Sequence, residues 1–169
     1  VPEDAGYVAI VNSTNITVEN LTLEKNSPGL TISFSANVTV ENCTISNNYV
    51  GVYLWASSNV TIHHNNFVQN TYMSDPWGRA WSPGTWDLGY PSGGNYWSGY
   101  SGVDLRWGPY QNLSGSDGIG DTPLVIDTNN RDNYPLMSPY EYWSNPILGD
   151  INRDMKVNEN DLLSLKAAY

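Results

Sequence analysis

The chain has 169 residues, of which 17 are Asp or Glu and 7 are Lys or Arg, so its formal net charge is −10. A nucleic-acid-binding protein needs a basic surface, so this charge excludes that class, and it argues in the same way against binding to anionic membranes. No run of 18 apolar residues is present to span a bilayer, and the single Cys cannot form an intrachain disulfide.

The first 71 residues contain an internal repeat. Residues 15–26, 37–48 and 59–70 align at an offset of 22 residues without gaps. Apolar and polar residues alternate in short runs broken by Asn, Ser or Gly, which predicts very short strands and tight turns. Three such strands per 22 residues are typical of one coil of a parallel β-helix, in which coils stack about 4.8 Å apart. The general preference for right-handed parallel crossovers predicts its hand.

Equivalent side chains of stacked coils are expected to form columns. The predicted core columns are Ile16/Val38/Val60, Val18/Val40/Ile62, Leu23/Ile45/Phe67 and Leu30/Val52. Asparagine tolerates left-handed backbone conformations, and its amide can bond along a stack of coils. We therefore interpret two further columns as turn residues, namely Asn20/Asn42/His64 and Asn15/Asn37/Asn59.

Seven Asn-x-Ser/Thr sequons favour an extracellular or cell-surface location, although the repeat itself accounts for several of them. They begin at Asn12, Asn15, Asn20, Asn37, Asn42, Asn59 and Asn112. The Gly/Ser-rich surroundings of Asn112 make it the leading candidate for a glycan, and Asn12 and Asn59 are the other two candidates. The chain begins at Val1 without an apolar leader, which fits a processed or excised segment.

Residues 72–147 lack the repeat and are rich in aromatic residues, Gly and Pro. They are predicted to form an irregular cap over one end of the β-helix, because an uncovered solenoid end exposes strand edges. The alternative is a carbohydrate-binding platform, since flat aromatic faces suit sugar rings.

Within the cap, Asp117 and Asp121 flank a Gly-rich turn and are candidate calcium ligands, since calcium prefers carboxylate and carbonyl oxygens. Asp104 and Asp127 are further candidate ligands. The alternative is that Asp117 and Asp121 are solvated turn residues.

The repeat and two stretches of the cap resemble the NosD-like (CASH-type) β-helix proteins, which are common among archaeal cell-surface proteins. The two stretches are Tyr90-Pro-Ser-Gly-Gly-Asn-Tyr-Trp-Ser98 and Gly115-Ser-Asp-Gly-Ile-Gly-Asp-Thr-Pro123. The name of that family implies copper delivery, which needs clustered Cys, Met or His residues. His63 and His64 are adjacent on a predicted strand and should point to opposite faces, so we do not expect a copper site.

Residues 148–169 have the spacing of an EF-hand calcium loop followed by an amphipathic helix. Loop positions 1, 3, 5, 7, 9 and 12 fall on Asp150, Asn152, Asp154, Lys156, Asn158 and Asp161. The segment resembles one half of a dockerin module, which implies calcium binding and a cohesin-like partner. Glu159 and Asn160 are the candidate partner contacts. The segment departs from that pattern in having one repeat of the usual two, and Met155 where Gly is usual.

The predicted protein is all-β, with β-helix coils at 1–71, a capping region at 72–147 and a dockerin-like calcium loop and helix at 148–169. Its predicted function is non-catalytic: a calcium-stabilised extracellular subunit of a surface layer, sheath or filament that contacts itself or other cell-surface proteins. The alternative is a carbohydrate- or cohesin-binding surface module. A polysaccharide-active enzyme is a weaker alternative, because Glu19 and Glu41 stack in register with His63 on the next rung but lack a basic partner.

Overall fold

The computed structural model describes residues 7–73 and 82–141. Residues 7–73 form three successive coils of three strands each. The strands are β1 (Val8–Val11), β2 (Thr14–Glu19), β3 (Thr22–Glu24), β4 (Leu30–Ser33), β5 (Ala36–Glu41), β6 (Thr44–Ser46), β7 (Val52–Trp55), β8 (Ser58–His63) and β9 (Asn66–Val68).

Equivalent strands of successive coils pair in parallel and form three sheets. Sheet A has the order β1-β4-β7, sheet B contains β2, β5 and β8, and sheet C contains β3, β6 and β9. Val8 pairs with Leu30 and Ile16 with Val38, so the register between coils is the 22-residue offset of the repeat. The predicted β-helix of about three coils is confirmed.

The predicted columns form the core inside the three sheets. Their members in coils two and three are at most 3% exposed: Leu30, Val38, Val40, Ile45, Val52, Val60, Ile62 and Phe67. Coil one is less covered, because Ile16 is only half-buried and Leu21 is 40% exposed.

Each coil places four residues in the left-handed backbone region at the same four positions. With φ between 47° and 59°, these residues are Asn12/Phe34/Ala56, Asn15/Asn37/Asn59, Asn20/Asn42/His64 and Lys25/Asn47/Gln69. Asparagine is frequent among them because its short polar side chain lowers the cost of this conformation. The predicted turn role of the two asparagine columns is confirmed.

Residues 82–141 cover the end of the β-helix at coil three with irregular, aromatic-rich structure, as predicted. β10 (Gly84–Thr85) and β11 (Tyr96–Trp97) extend sheets B and C by parallel pairing with β8 and β9. Two short antiparallel pairs follow: β12 (Arg106–Trp107) with β13 (Leu113–Ser114), and β14 (Leu124–Val125) with β15 (Arg131–Asp132).

Two tryptophans close the core beneath this cap. Trp86 and Trp97 are each 2% exposed, and the Trp97 ring stacks on Phe67 with the ring centroids 4.1 Å apart. In the part of the chain that the structure describes, no helix is long and apolar enough to cross a membrane. The predicted calcium loop and helix at 148–169 lie outside the described residues.

Candidate binding and metal sites

Asp121, one of the two predicted ligands in the cap, binds the backbone of a neighbouring segment. Its carboxylate accepts hydrogen bonds from the Leu105 N–H at 3.2 Å and the Arg106 N–H at 3.1 Å. This residue also borders a pocket of about 460 Å³, which is lined by Val103, Leu105, Arg106, Asn112, Ser114 and Asp121. The structure therefore brings Asp121 and the candidate glycan site Asn112 to one pocket.

Asp117, the second predicted ligand, is half-buried in its loop. Its carboxylate accepts hydrogen bonds from the Gln111 Nε2 at 3.2 Å and the Ile119 N–H at 3.1 Å. Burial raises the pKa of Asp117, and these two hydrogen bonds limit the rise. Asp104 in turn accepts hydrogen bonds from the N–H groups of Asp117 and Gly118, at 3.1 and 2.8 Å. These carboxylates hold the loop in shape.

This arrangement does not form the cage of converging oxygens that calcium takes. Asp117 and Asp121 bond to different segments, and Asp127 accepts hydrogen bonds from Asn129 and Asn130. Within residues 7–73 and 82–141, no three His, Cys, Asp or Glu side chains are grouped so as to hold a metal ion. Calcium binding by Asp117 and Asp121 stays a prediction.

Glu41 and His63 occupy successive rungs of an outward column that begins with Glu19. His63 Nε2 lies 3.6 Å from Glu41 Oε2, and His63 Nδ1 is buried without a hydrogen-bond partner. Burial, with a smaller contribution from His64, lowers the pKa of His63 to about 4. His63 is therefore neutral at pH 7.

The prediction that His63 and His64 point to opposite faces was wrong. Their ring centroids lie 4.9 Å apart, with the ring planes at 84°. Side chains alternate only along extended backbone, whereas His64 follows β8 at a corner with φ 55°. His64 also stacks face to face on Tyr140, with ring centroids 4.2 Å apart, and its Nε2 lies 2.8 Å from the Ser92 carbonyl oxygen.

Buried polar side chains form ladders at the corners of the coils, which the sequence analysis missed. At one corner, the backbone N–H of Ser13 donates to Ser35 Oγ, that of Ser35 to Ser57 Oγ and that of Ser57 to Ser82 Oγ, at 2.8–3.1 Å. Each serine thus satisfies a backbone donor of the preceding coil. The signal that could have revealed this ladder is the recurrence of Ser at the 22-residue offset.

A second ladder ends on a buried carboxylate of the cap. The N–H of Cys43 donates to Asn65 Oδ1 and that of Asn65 to Asn95 Oδ1, both at 3.0 Å, and that of Asn95 donates to Asp132 Oδ2 at 2.7 Å. Trp97 Nε1 donates to the same oxygen at 2.8 Å. Burial raises the pKa of Asp132 to about 6, and the hydrogen bond from Trp97 is the largest opposing effect. Asp132 therefore fastens the cap to the coils.

The three predicted glycan residues are all exposed. Asn12 lies between β1 and β2, and Asn112 lies between β12 and β13. Asn59 differs because its Nδ2 already donates to Asn37 Oδ1 at 2.7 Å, while Asn37 Nδ2 donates to Asn15 Oδ1 at 3.0 Å. A glycan on Asn59 would compete with this external ladder.

The remaining predicted site residues all belong to the C-terminal segment. Outside the described residues lie the candidate ligands Asp150, Asn152, Asp154, Lys156, Asn158 and Asp161, and the candidate partner contacts Glu159 and Asn160.

Coils of three parallel sheets with ladders at their corners define the class of β-helix proteins. Residues 3–80 match the family model described as right handed beta helix region. The coils are therefore a right-handed β-helix, as predicted. No curated protein and no solved structure matches the chain significantly. Because one fold can carry enzymes as well as non-catalytic proteins, function has to be argued from the surface of this β-helix.

Proposed function

We propose that this chain is a non-catalytic structural module of the cell exterior that assembles through the outer edge of its first coil. The observation that carries the proposal is the position of β1, β2 and β3, each of which is the last strand of its sheet. Within the described residues, no strand pairs with their outer edges. Such an edge presents N–H and C=O groups that can pair with a strand of another molecule.

The two ends of the β-helix differ in how well their apolar side chains are covered. Sheets B and C are extended at coil three by β10 and β11. At coil one, Leu21 is 40% exposed, whereas Cys43, at the equivalent position in coil two, is fully buried. Ile16 is likewise half-buried, whereas Val38 and Val60 in its column are 1% exposed. Contact with a partner at this end would bury apolar surface as well as pair strands.

The non-catalytic part of the proposal is supported by the column that contains Glu41 and His63. Hydrolysis of a glycoside near neutral pH uses an acid and a base with suitable pKa values. With a pKa of about 4, His63 is too weak a base and carries no proton to donate at pH 7.

The calcium and cell-surface parts of the proposal are supported by the sequence. The EF-hand spacing of 148–169 favours calcium, and the sequons favour the cell exterior. One outer edge can join only two molecules, so a layer or filament needs a second contact. The dockerin-like segment, with Glu159 and Asn160, is our candidate for that contact.

The test is sedimentation of the full chain over a range of concentrations, with calcium and with a chelator. We expect concentration-dependent self-association that Val11→Lys and Leu21→Lys abolish, because a charge at the edge of coil one must be desolvated on pairing. Val125→Lys is the matched control, since Val125 is 68% exposed on the cap. A monodisperse monomer at high protein concentration with calcium present would refute the assembly function.

A further inference from the structure

One face of the coils carries aromatic rings and no charged side chain. It comprises residues 7–12, 29–36 and 49–56 together with Tyr72, and is called here the aromatic face. It is formed by sheet A and the corners beside it. None of these residues is Asp, Glu, Lys or Arg, although the chain has a net charge of −10. The charged residues of the described coils lie in or directly after the strands of sheets B and C: Glu19, Glu24, Lys25 and Glu41.

Rings on this face are unusually accessible for their size. Phe34 is 61% exposed, Tyr49 is 42% exposed and Tyr72 is 40% exposed. The rings of Tyr49 and Tyr72 meet edge to face, with their centroids 5.2 Å apart. Tyr53 and Trp55 are half-buried at alternate positions of β7, between residues that point into the core. Contiguous exposed apolar surface of this kind marks an interaction site.

The size of the aromatic face argues against a protein partner. From Tyr49 to Trp55 it is about 20 Å wide at about 3.3 Å per residue, and three coils make it about 14 Å tall. Its area is therefore roughly 280 Å², whereas a stable protein interface buries about 800 Å² on each partner. A linear polymer that lies along the face does not need that area.

We propose that the aromatic face binds an extended, uncharged polysaccharide. The C–H groups on the face of a pyranose ring pack against the negative face of an aromatic ring, and the sugar hydroxyls can bond with Tyr, Thr and Asn side chains. Thr31 and Asn12 supply such groups on this face. An anionic polysaccharide would need Lys or Arg partners, which the face does not contain. The proposal does not depend on assembly through the first coil.

The test is native affinity electrophoresis of the full chain in gels that contain hydroxyethylcellulose, galactomannan or xylan, with polygalacturonate as the anionic comparison. We expect retardation in at least one of the three neutral gels. Phe34→Ala and Tyr49→Ala should each weaken the retardation about two- to tenfold. The left-handed backbone at Phe34 accepts alanine, since Ala56 occupies the same position in the next coil with φ 47°.

Tyr110→Ala is the matched control, because Tyr110 is 83% exposed on the cap, away from the aromatic face. It should leave the retardation unchanged, and all variants should unfold at the temperature of the parent chain. Absence of retardation in all three neutral gels overturns the proposal, and so does an equal effect of Tyr110→Ala. Self-association lost in Phe34→Ala, without retardation in any gel, would make the face a protein contact and overturn it as well.

Discussion

Two buried titratable residues respond to pH in opposite directions. Burial raises the pKa of Asp132 from 3.8 to about 6 and lowers the pKa of His63 from 6.5 to about 4. The cause is the same in both, because loss of water disfavours the charged form of either group. The consequences for stability have opposite signs, because Asp132 is charged when deprotonated and His63 when protonated.

We predict that Asp132→Asn makes the free energy of unfolding rise with pH between about pH 4 and pH 6. In the parent chain, folded Asp132 holds a proton in this range that the unfolded chain has released. Its contribution to stability therefore falls as pH rises, by roughly 3 kcal/mol for a shift of about two pKa units. The variant loses this contribution and retains that of His63. Urea unfolding at a series of pH values measures the slope.

We predict the reverse slope for His63→Gln. Between pH 6.5 and about 4, the unfolded chain binds a proton at His63 that the folded chain does not, so the His63 contribution falls by roughly 3 kcal/mol as pH falls. In the parent chain the two contributions largely cancel, and the variant should lose stability as pH rises. Asp117, whose pKa burial also raises, is common to all three proteins and does not affect the comparison. Parallel slopes in the three proteins would contradict both pH predictions.

The coil is the structural element in which a side chain gains its role from its position. Asn65 at an inner corner and Asn59 on the outer surface belong to the same coil and both bond to neighbouring coils. Asn65 is fully buried and its Nδ2 donates to the carbonyls of Val40 and His63, at 2.9 and 2.8 Å. Asn59 makes its ladder contact in water, where the exchange of hydrogen bonds is nearly neutral.

We therefore predict that Asn65→Ala lowers the free energy of unfolding by about 3 kcal/mol or more, since each buried group left unpaired costs about 1–3 kcal/mol. The matched control is Asn59→Gly, which removes the outer ladder contact while tolerating the φ of 50° at that position. It should cost about 1 kcal/mol or less. Denaturant unfolding of both variants measures the difference, and equal losses would show that the inner ladder has no special weight.

At the scale of the whole molecule, acidic residues serve different purposes in different regions. In the cap, Asp104, Asp121 and Asp132 bind backbone N–H groups and so join segments that are distant in sequence. Such bonds hold together a region that has little regular secondary structure. The acidic residues of the loop at 150–161 instead have the odd-numbered spacing of calcium ligands.

We predict that calorimetric titration with calcium detects one site and that Asp150→Ala abolishes its heat. Asp117→Ala should retain the heat, because Asp117 bonds within its own loop and no metal cage surrounds it among the described residues. Loss of the heat in Asp117→Ala alone would place the site in the cap. Absence of heat with the parent chain would remove calcium from the proposed function.

The β-helix could be predicted from sequence because each coil repeats the environment of the last. A column such as Val18/Val40/Ile62 needs an apolar residue every 22 positions, so its members stand in register in the sequence itself. The same periodicity contained the serine ladder, which could have been found in this way. The cap could be predicted only as a region, because its aromatic residues have no period that assigns partners.

The sequence by itself determined the coils, their register and the residues at their turns, because stacking imposes one short-range rule that is repeated three times. Only the tertiary structure decided what the non-repeating residues do. Asp132 acquires its raised pKa from Asn95 and Trp97, which lie 35 or more residues away, and from the burial that the cap provides. The aromatic face likewise exists only after three coils bring Phe34, Tyr49 and Tyr72 to one side. Burial and electrostatic interaction depend on distances in space, and those distances are known only once the chain has folded.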